Sequence, residues 1–369
     1  MPFMFRGQNL DAILEQPLLA PDSLLGRASV VCANIVGDLR DQWARHRGGT
    51  AQGAYASAKG AFAGVEGWWS TRYNDDAIIR TLYGDVAARN LLVQWSGEND
   101  AATFMERFQP ARKEAFYIFT RKPSLDTMLQ TSFPLTYYHR DIASVFHRHA
   151  HSLDVGIMRS RVFETAEIML RILYGNMNGP WRAFYGTRTL GTAMLLGLMH
   201  NRLLRRLPYQ TGARFEYNQS SVAYTLLTFS GIVHATWVGL ASGDLQRLMP
   251  GWRNHPRPAI VFPEADWYFV WKIVGSCMGL SEQLMPSSYA ESEELLQAFN
   301  DSDEILRSDA TIRPILDVYG RIFEGPPGDS RWARFRRALP PKDLAVWLAA
   351  IKWAEVRRDL ENPFDVFDE

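Results

Sequence analysis

Apolar residues recur every three or four positions along most of this chain, the spacing that places them on one face of an α-helix. Within residues 160–174 the apolar stripe consists of Val162, Ala166, Met169, Leu170 and Leu173. Residues 189–206 are apolar on almost every side, which predicts a fully buried helix. Strand-like alternation is scarce, so the pattern predicts an all-α fold.

Capping and breaking residues mark several helix boundaries. A helix is predicted from Pro263-Glu264 to Gly279, because proline in a first turn needs no amide partner and glycine ends helices readily. Ser288 and Glu291 have the spacing of a capping box, which predicts the start of the next helix. Turn-forming clusters separate the helical stretches at residues 47–49, 208–218, 250–258 and 325–328.

These features predict one large helical bundle in three parts. Residues 126–304 form the central core, residues 1–125 an N-terminal helical wrap or cap, and residues 305–369 a C-terminal helical tail. The stretch from Val222 to Ser242 carries no charge apart from His234 and is long enough to span a bilayer. Polar residues and glycines interrupt it and no second such stretch follows, so we predict a buried helix without stable membrane insertion.

The composition suits a globular protein with a large interior. Apolar residues make up 47% of the chain and aromatic residues 12%, which supplies ample core material. Lys+Arg and Asp+Glu both number 40, and this balance argues against nucleic acid as an obligatory partner. The two cysteines, Cys32 and Cys277, are far apart, and no apolar leader is evident, so we expect a cytoplasmic location.

Several common catalytic motifs are absent. The sequence contains no E-x-x-H, no G-x-S-x-G, no Walker A loop and no G-x-G-x-x-G. The usual carboxylate di-iron bundle, nucleophilic hydrolysis and nucleotide chemistry therefore lack their characteristic residues.

A histidine interrupts the most apolar of the predicted helices. His200 shares a helical face with Ala193 and Gly197, whose small side chains would leave a shelf for a flat macrocycle. Burying an imidazole without a partner is costly, and a bond to haem iron removes that cost. The alternative is a core histidine bonded to a backbone carbonyl. His234 is the second candidate ligand.

Two polar residues share one face of the predicted helix at 160–174. Arg161 and Thr165 are four positions apart. A guanidinium and a hydroxyl directed into an apolar interior would bind a haem propionate or polarise bound oxygen. Alternatively, Arg161 begins the helix and pairs with Glu164 at the surface.

The motifs between residues 130 and 300 occur in a particular order. They are Tyr137-Tyr138, Arg161-x-x-x-Thr165, Met199-His200-Asn201-Arg202, Tyr217-Asn218-Gln219, Trp271-Lys272-Ile273-Val274-Gly275 and Met278-Gly279-Leu280. This succession resembles the catalytic domain of the latex clearing protein (rubber oxygenase) family. That family also includes the fungal oxygenase that cleaves the farnesyl side chain in mycophenolic acid biosynthesis.

The resemblance implies a globin-like core, one non-covalent haem b and O₂-dependent cleavage of isoprenoid double bonds. It places His200 on the proximal iron ligand, and Arg161 and Thr165 on the family's arginine and threonine beside the haem. Glu164 stands where latex clearing proteins carry a lysine that can cap the distal side of the iron, and a carboxylate cannot replace that amine. It could instead act as a base or pair with Arg161. The family's distal glutamate has no clear equivalent here.

We therefore expect a haem b-dependent oxygenase, an oxidoreductase that uses O₂ on a hydrophobic, unsaturated or isoprenoid small molecule. Arg161, Thr165 and Glu164 are the catalytic candidates, and His200 binds the iron, with Gly197 beside the ring. Oxidative cleavage of an alkene is the reaction that the resemblance implies, and the residues equally permit oxygen insertion or peroxidation.

Two alternatives remain open. One is a non-catalytic helical protein of the same fold that binds haem or lipid. The other is a non-haem metal enzyme that uses His147, His149 and His151, because His147 and His151 lie one helical turn apart.

Overall fold

The structure, a computed structural model, describes residues 2–16, 18–31, 37–38, 41, 74–148, 154–156, 158, 162, 165, 169, 172–173, 189–204, 218–248, 255–306 and 309–322. About 74% of the interpretable part is helical, which confirms the predicted all-α fold. Two short strands, β1 (Met4–Phe5) and β2 (Gln8–Asn9), pair as an antiparallel hairpin near the N-terminus.

The described α-helices range from four to 24 residues in length. The first eight that the structure describes are α1 (Asp11–Leu14), α2 (Leu24–Val31), α3 (Asp75–Tyr83), α4 (Val86–Ser96), α5 (Ala101–Thr120), α6 (Lys122–Thr127), α7 (Phe133–Thr136) and α8 (Arg140–Arg148). A π-helical turn, Met128–Ser132, connects α6 to α7. The later helices are α9 (Thr189–Leu204), α10 (Gln219–Ser242), α11 (Asp244–Leu248), α12 (Glu264–Cys277), α13 (Tyr289–Asp301) and α14 (Asp309–Arg321).

The described residues between 155 and 173 are helical too. Three members of the predicted apolar stripe fall among them, and Val162, Met169 and Leu173 are all buried. The helical spacing of the stripe is therefore confirmed at the positions that the structure describes. Tyr137 contacts this segment through its hydroxyl, which lies 3.4 Å from Sδ of Met158.

Helix α12 lies at the centre of the packing and contacts α5, α9 and α10. Trp267 on α12 is fully buried. Its ring packs against Phe119 of α5 at 6.5 Å, Trp271 at 5.7 Å and Phe262 at 5.3 Å between ring centroids. Burial of such large aromatic surfaces is a main source of folding free energy.

Both ends of α12 follow the sequence prediction. The helix begins after Pro263, and Gly279 adopts a left-handed conformation, with φ of 93°, just beyond its end. The predicted start of α13 is also confirmed, because the Ser288 side chain accepts a hydrogen bond from the Glu291 amide. In a standard capping box the Glu291 carboxylate would accept from the amide of Ser288. Here it accepts from the amide of Ser287, one residue earlier.

The N-terminal segment runs along the end of α12. The amides of Leu19 and Ala20 both donate to the carbonyl of Gly279 at 3.1 Å. The amide of Leu24 donates to the Ser276 hydroxyl at 2.7 Å. Residues before position 125 thus share one hydrophobic core with the residues after it.

Helix α10 is long and apolar enough to cross a membrane by length and composition. However, 61% of its most apolar window is buried within the fold. Tyr224, Phe229, Val233 and Leu240 are among its buried side chains. This burial is what a core helix requires, and it agrees with the helix type that the sequence predicts.

A capping box fixes the start of α10. The Asn218 side-chain oxygen accepts from the Ser221 amide at 2.9 Å, and the Ser221 hydroxyl accepts from the Asn218 amide at 3.0 Å. The Asn218 side-chain amide also donates to Asp141 at 2.7 Å. One buried side chain therefore both caps α10 and ties it to α8.

We predict that Asn218→Ala lowers the free energy of unfolding by about 2–4 kcal/mol, because it removes a cap and a donor to a buried carboxylate. Asp85→Ala is the matched control, since Asp85 caps α4 from a half-exposed position by accepting from the Ala88 amide. The control should cost about 1 kcal/mol. Urea denaturation followed by circular dichroism measures both values, and equal losses would contradict the double role of Asn218.

Candidate functional site

Helix α9 carries the predicted iron ligand at the end of a buried segment. Thr189, Leu190, Ala193 and Leu195 are all almost completely buried. No exposed face interrupts this part of α9, as the apolar sequence predicts. Consequently, the helix is held from all sides before the chain reaches His200.

The start of α9 is satisfied by a buried carboxylate from another helix. Asp75 of α3 accepts from the amides of Thr189 and Leu190, each at 3.0 Å. Burial raises the pKa of Asp75, while Arg112 of α5, 3.8 Å away, opposes that rise. Arg112 also donates to the Thr189 hydroxyl at 2.5 Å. A negative charge at a helix N-terminus is stabilising, so this pair fixes where α9 begins.

His200 is half-buried as a residue, whereas its Nδ1 atom is buried. Burial lowers the pKa of His200 to about 4. The imidazole is therefore neutral at physiological pH, and the neutral form is the one that binds a metal ion. The local chemistry suits the ligand role that the sequence assigns to this residue.

Gly197 is a close-packing residue. A Cβ atom at this position would lie 2.2 Å from the carbonyl oxygen of Met278 and 2.8 Å from its Cα atom. The backbone of α9 thus touches the backbone at the end of α12. The expected shelf for a macrocycle beside Gly197 is wrong, because Met278 fills that space. A small residue on the face of His200 either leaves space for a cofactor or allows two backbones to pack closely. The sequence alone does not distinguish these two explanations.

The other haem-related residues are only partly within the described structure. Thr165 is helical and half-buried, and Val162 and Met169, about one turn to either side, are buried. Arg161 and Glu164 lie outside the described residues. The direction in which Thr165 and Arg161 face relative to His200 stays a prediction.

The alternative histidine site cannot be assembled from the described residues. His149 and His151 lie outside them, and only the helical backbone of His147 is described, at the end of α8. His234, the second candidate ligand, is buried in α10 and stacks on Phe262 with 4.0 Å between ring centroids. Its Nδ1 atom lies 3.3 Å from the Tyr268 hydroxyl. His234 thus occupies a packed aromatic site.

A second group of side chains that could bind a metal ion was not predicted from the sequence. His139, Asp141 and Glu304 each offer a ligand atom, and these atoms lie within 4.8 Å of one another. All three are buried, with at most 6% of each residue exposed. Such a set of one imidazole and two carboxylates is able to hold a metal ion. We call these three residues the His139 cluster.

Backbone pairing brings the His139 cluster together. The amide of Arg140 donates to the Glu304 carbonyl at 2.8 Å, and the amide of Leu306 donates to the Tyr138 carbonyl at 2.8 Å. The chain after α13 is thereby bonded to the start of α8. Sequence patterns reveal no such pairing between distant segments, which is why Glu304 was missed.

Hydrogen bonds link the cluster into a chain. His139 Nδ1 accepts from the Asp141 amide at 3.3 Å, so its proton resides on Nε2. Nε2 then donates to the Ser220 hydroxyl at 2.8 Å, and that hydroxyl donates to Glu304 at 2.5 Å. Arg140 completes the group, with its guanidinium 3.3 Å from Glu304 and 3.9 Å from Asp141.

The two carboxylates of the cluster differ in their electrostatics. Burial raises the pKa of Asp141, although His139 and Asn218 act against this rise. Burial also opposes ionisation of Glu304, but hydrogen bonds from His139 and Ser220 outweigh it and lower the pKa of this carboxyl. Glu304 is thus the stable anion of the pair, and Asp141 is the carboxyl that more readily holds a proton.

A small cavity lies beside α12, lined by residues that include Ser230, Tyr268, Trp271 and Lys272. Its volume of about 20 Å³ accommodates one water molecule and no organic substrate. Burial lowers the pKa of Lys272, whose ammonium lies 3.9 Å from Glu282. We assign this cavity no role in catalysis.

The chain was compared with protein families, curated proteins and solved structures. No protein family, curated protein or solved structure matches this chain. The resemblance to latex clearing proteins accordingly stays a prediction that depends on the order of the motifs.

We predict that Gly197→Ala lowers the free energy of unfolding by roughly 1–3 kcal/mol, because the added methyl group collides with backbone atoms of Met278. Gly239→Ala on α10 is the matched control, since its Cβ would lie 3.3 Å from the side chain of Leu245. The control should change the free energy of unfolding by less than about 1 kcal/mol, because Leu245 has to shift by only a few tenths of an ångström and the higher helix propensity of alanine offsets that cost. Chemical denaturation compares the two, and a harmless Gly197→Ala would contradict the backbone contact.

Proposed function

We propose that the protein is a haem b-dependent oxygenase that uses O₂ to oxidise a hydrophobic, unsaturated or isoprenoid small molecule. The observation that carries this proposal is the state of His200, a neutral imidazole with a buried Nδ1 atom at the end of an apolar helix. A neutral imidazole is the usual proximal ligand of haem proteins that handle oxygen.

The residues around His200 fit this proposal in part. Helix α9 is anchored at its start by Asp75 and packed against Met278 at Gly197, so the position of His200 is set by rigid contacts. A ligand held by such contacts is preorganised for binding. The backbone of Met278 fills the space beside Gly197, which lies on the same helical face as His200, so a haem ring bound to His200 would have to lie clear of that contact.

The bound haem would supply the iron centre that activates O₂. Within this proposal, His200 would hold the iron and the hydroxyl of Thr165 would donate a hydrogen bond during the oxidation. Arg161 supplies a cation for a propionate or for developing negative charge. Glu164 pairs with Arg161 or accepts a proton from the substrate. Apolar side chains on α10 and on the helix around Thr165 exclude water and favour a hydrophobic substrate.

We predict that the purified wild-type protein shows a Soret absorption band and that His200→Ala loses it, while the far-ultraviolet circular dichroism stays helical. His234→Ala is the matched control, because burial also lowers the pKa of His234 to about 4. The control should keep the Soret band. A band that survives in His200→Ala, or a wild type that takes up no haem, would refute the proposal.

We predict that Thr165→Val leaves haem binding intact but slows O₂ consumption by roughly tenfold, because one hydrogen-bond donor is lost without a change of shape. Thr225→Val is the control, since Thr225 is also helical and half-buried, and its hydroxyl donates to the Ser221 carbonyl. An oxygen electrode with polyisoprene oligomers and unsaturated lipids as substrates measures the rates. A red protein that consumes no O₂ with any of these would favour the non-catalytic haem- or lipid-binding alternative.

A further inference from the structure

The His139 cluster has features that a hydrogen-bonded network alone does not require. It gathers two carboxylates and one imidazole from distant parts of the chain into a buried place. We propose that His139, Asp141 and Glu304 bind one divalent transition-metal ion, which fastens the segment after α13 to the start of α8. This site uses none of the residues of the proposed haem centre.

The distances allow an ion with small movements of the side chains. Ligand atoms around a four- or six-coordinate ion lie about 3–3.5 Å apart, given bonds of about 2.0–2.2 Å. His139 Nε2 and Glu304 Oε2 already lie 3.5 Å apart. Binding of an ion at Nε2 requires the single ring proton to move from Nε2 to Nδ1, so the hydrogen bond to Ser220 is lost and the 3.3 Å contact of Nδ1 with the Asp141 amide has to open. The ligand atoms of all three residues lie within 4.8 Å of one another, so a shift of about 1 Å closes the set. The Ser220 hydroxyl, 2.5 Å from Glu304, offers a further oxygen.

The charges of the site also call for a cation. Two buried carboxylates close together repel each other unless a proton or a positive charge lies between them. Arg140 is the cation that contacts both carboxylates among the described residues, and 38% of its side chain is exposed to solvent, which screens its charge. A divalent ion bound between the two carboxylates would reduce their mutual repulsion.

The ligand types select the class of ion. One imidazole nitrogen with two carboxylate oxygens suits Mn²⁺, Fe²⁺ or Zn²⁺. Ca²⁺ is a poorer match, because it takes six to eight oxygen ligands. All the protein ligands are buried, as in sites whose metal contributes to folding. We therefore assign the ion a structural role.

The test uses the full-length protein after treatment with a chelator, which removes exchangeable ions. Mn²⁺ is added and followed by electron paramagnetic resonance. We expect one bound Mn²⁺ per chain, displacement by Zn²⁺ and a rise in melting temperature of roughly 3 °C or more at saturating Mn²⁺. The same titration of His200→Ala should give the same result, so failure of the haem proposal would not affect it.

Two isosteric variants locate the site. Asp141→Asn and Glu304→Gln keep the size of the side chains and lose one negative charge each, so each should bind Mn²⁺ at least roughly tenfold more weakly. Asp126→Asn is the matched control, because Asp126 is also a buried carboxylate beside a histidine, 3.0 Å from His255. This control should bind as tightly as the wild type.

Three outcomes would overturn the proposal. The first is wild-type protein that binds neither Mn²⁺ nor Zn²⁺ at one ion per chain. The second is equal binding by all variants, which would mean adventitious ions only. The third is the absence of coupling between Mn²⁺ and an imidazole nitrogen in spin-echo spectra of the wild type, which would leave the cluster a hydrogen-bonded network. This third measurement needs no variant, so it tests the site even if a variant fails to fold.

Discussion

The backbone contact between α9 and α12 is the constraint on which the proposed site depends. At Gly197 the backbone of α9 approaches the backbone of Met278 so closely that no side chain fits between them. The amides at the start of α9 meet Asp75, and Arg112 offsets the charge of that buried carboxylate. A helix fixed at one end by charge and along its length by packing presents His200 in one position. The position that the proposed ligand His200 takes therefore depends on a helix contact at Gly197 and not on His200 itself.

Local features of this fold could be predicted from the sequence, because they depend on neighbours within one helical turn. The ends of α12 at Pro263 and Gly279 and the start of α13 at Ser288 are of this kind. The buried character of α10 also follows from its composition, although a bilayer span has the same pattern. The spacing of apolar residues does not show which helices pack against each other. For this reason the sequence suggested a cofactor shelf at Gly197, where the structure has the backbone of Met278.

The His139 cluster illustrates the same limit for a site. His139 and Asp141 are adjacent to motifs that the sequence analysis used, but their partner Glu304 reaches them through backbone pairing with the segment after α13. Ser220 and Asn218 join from the start of α10, where the sequence indicates only a turn. A polar residue that caps a helix and one that supports a site look alike in sequence. Only their burial and partners distinguish them.

Electrostatics separate the roles of the two histidines. Burial is the cause that lowers the pKa of His200, and the apolar helix around it disfavours the imidazolium form. A neutral ligand in apolar surroundings suits an iron whose charge is already largely balanced by a porphyrin dianion. His139 instead lies beside two carboxylates, and anionic oxygen ligands together with an imidazole suit a divalent ion. Exchanging the two proposed metals would leave a charge unbalanced in each buried site, at a large cost in desolvation. Under the two proposals, the same residue type serves two different metals in one chain, because the charges around each imidazole differ.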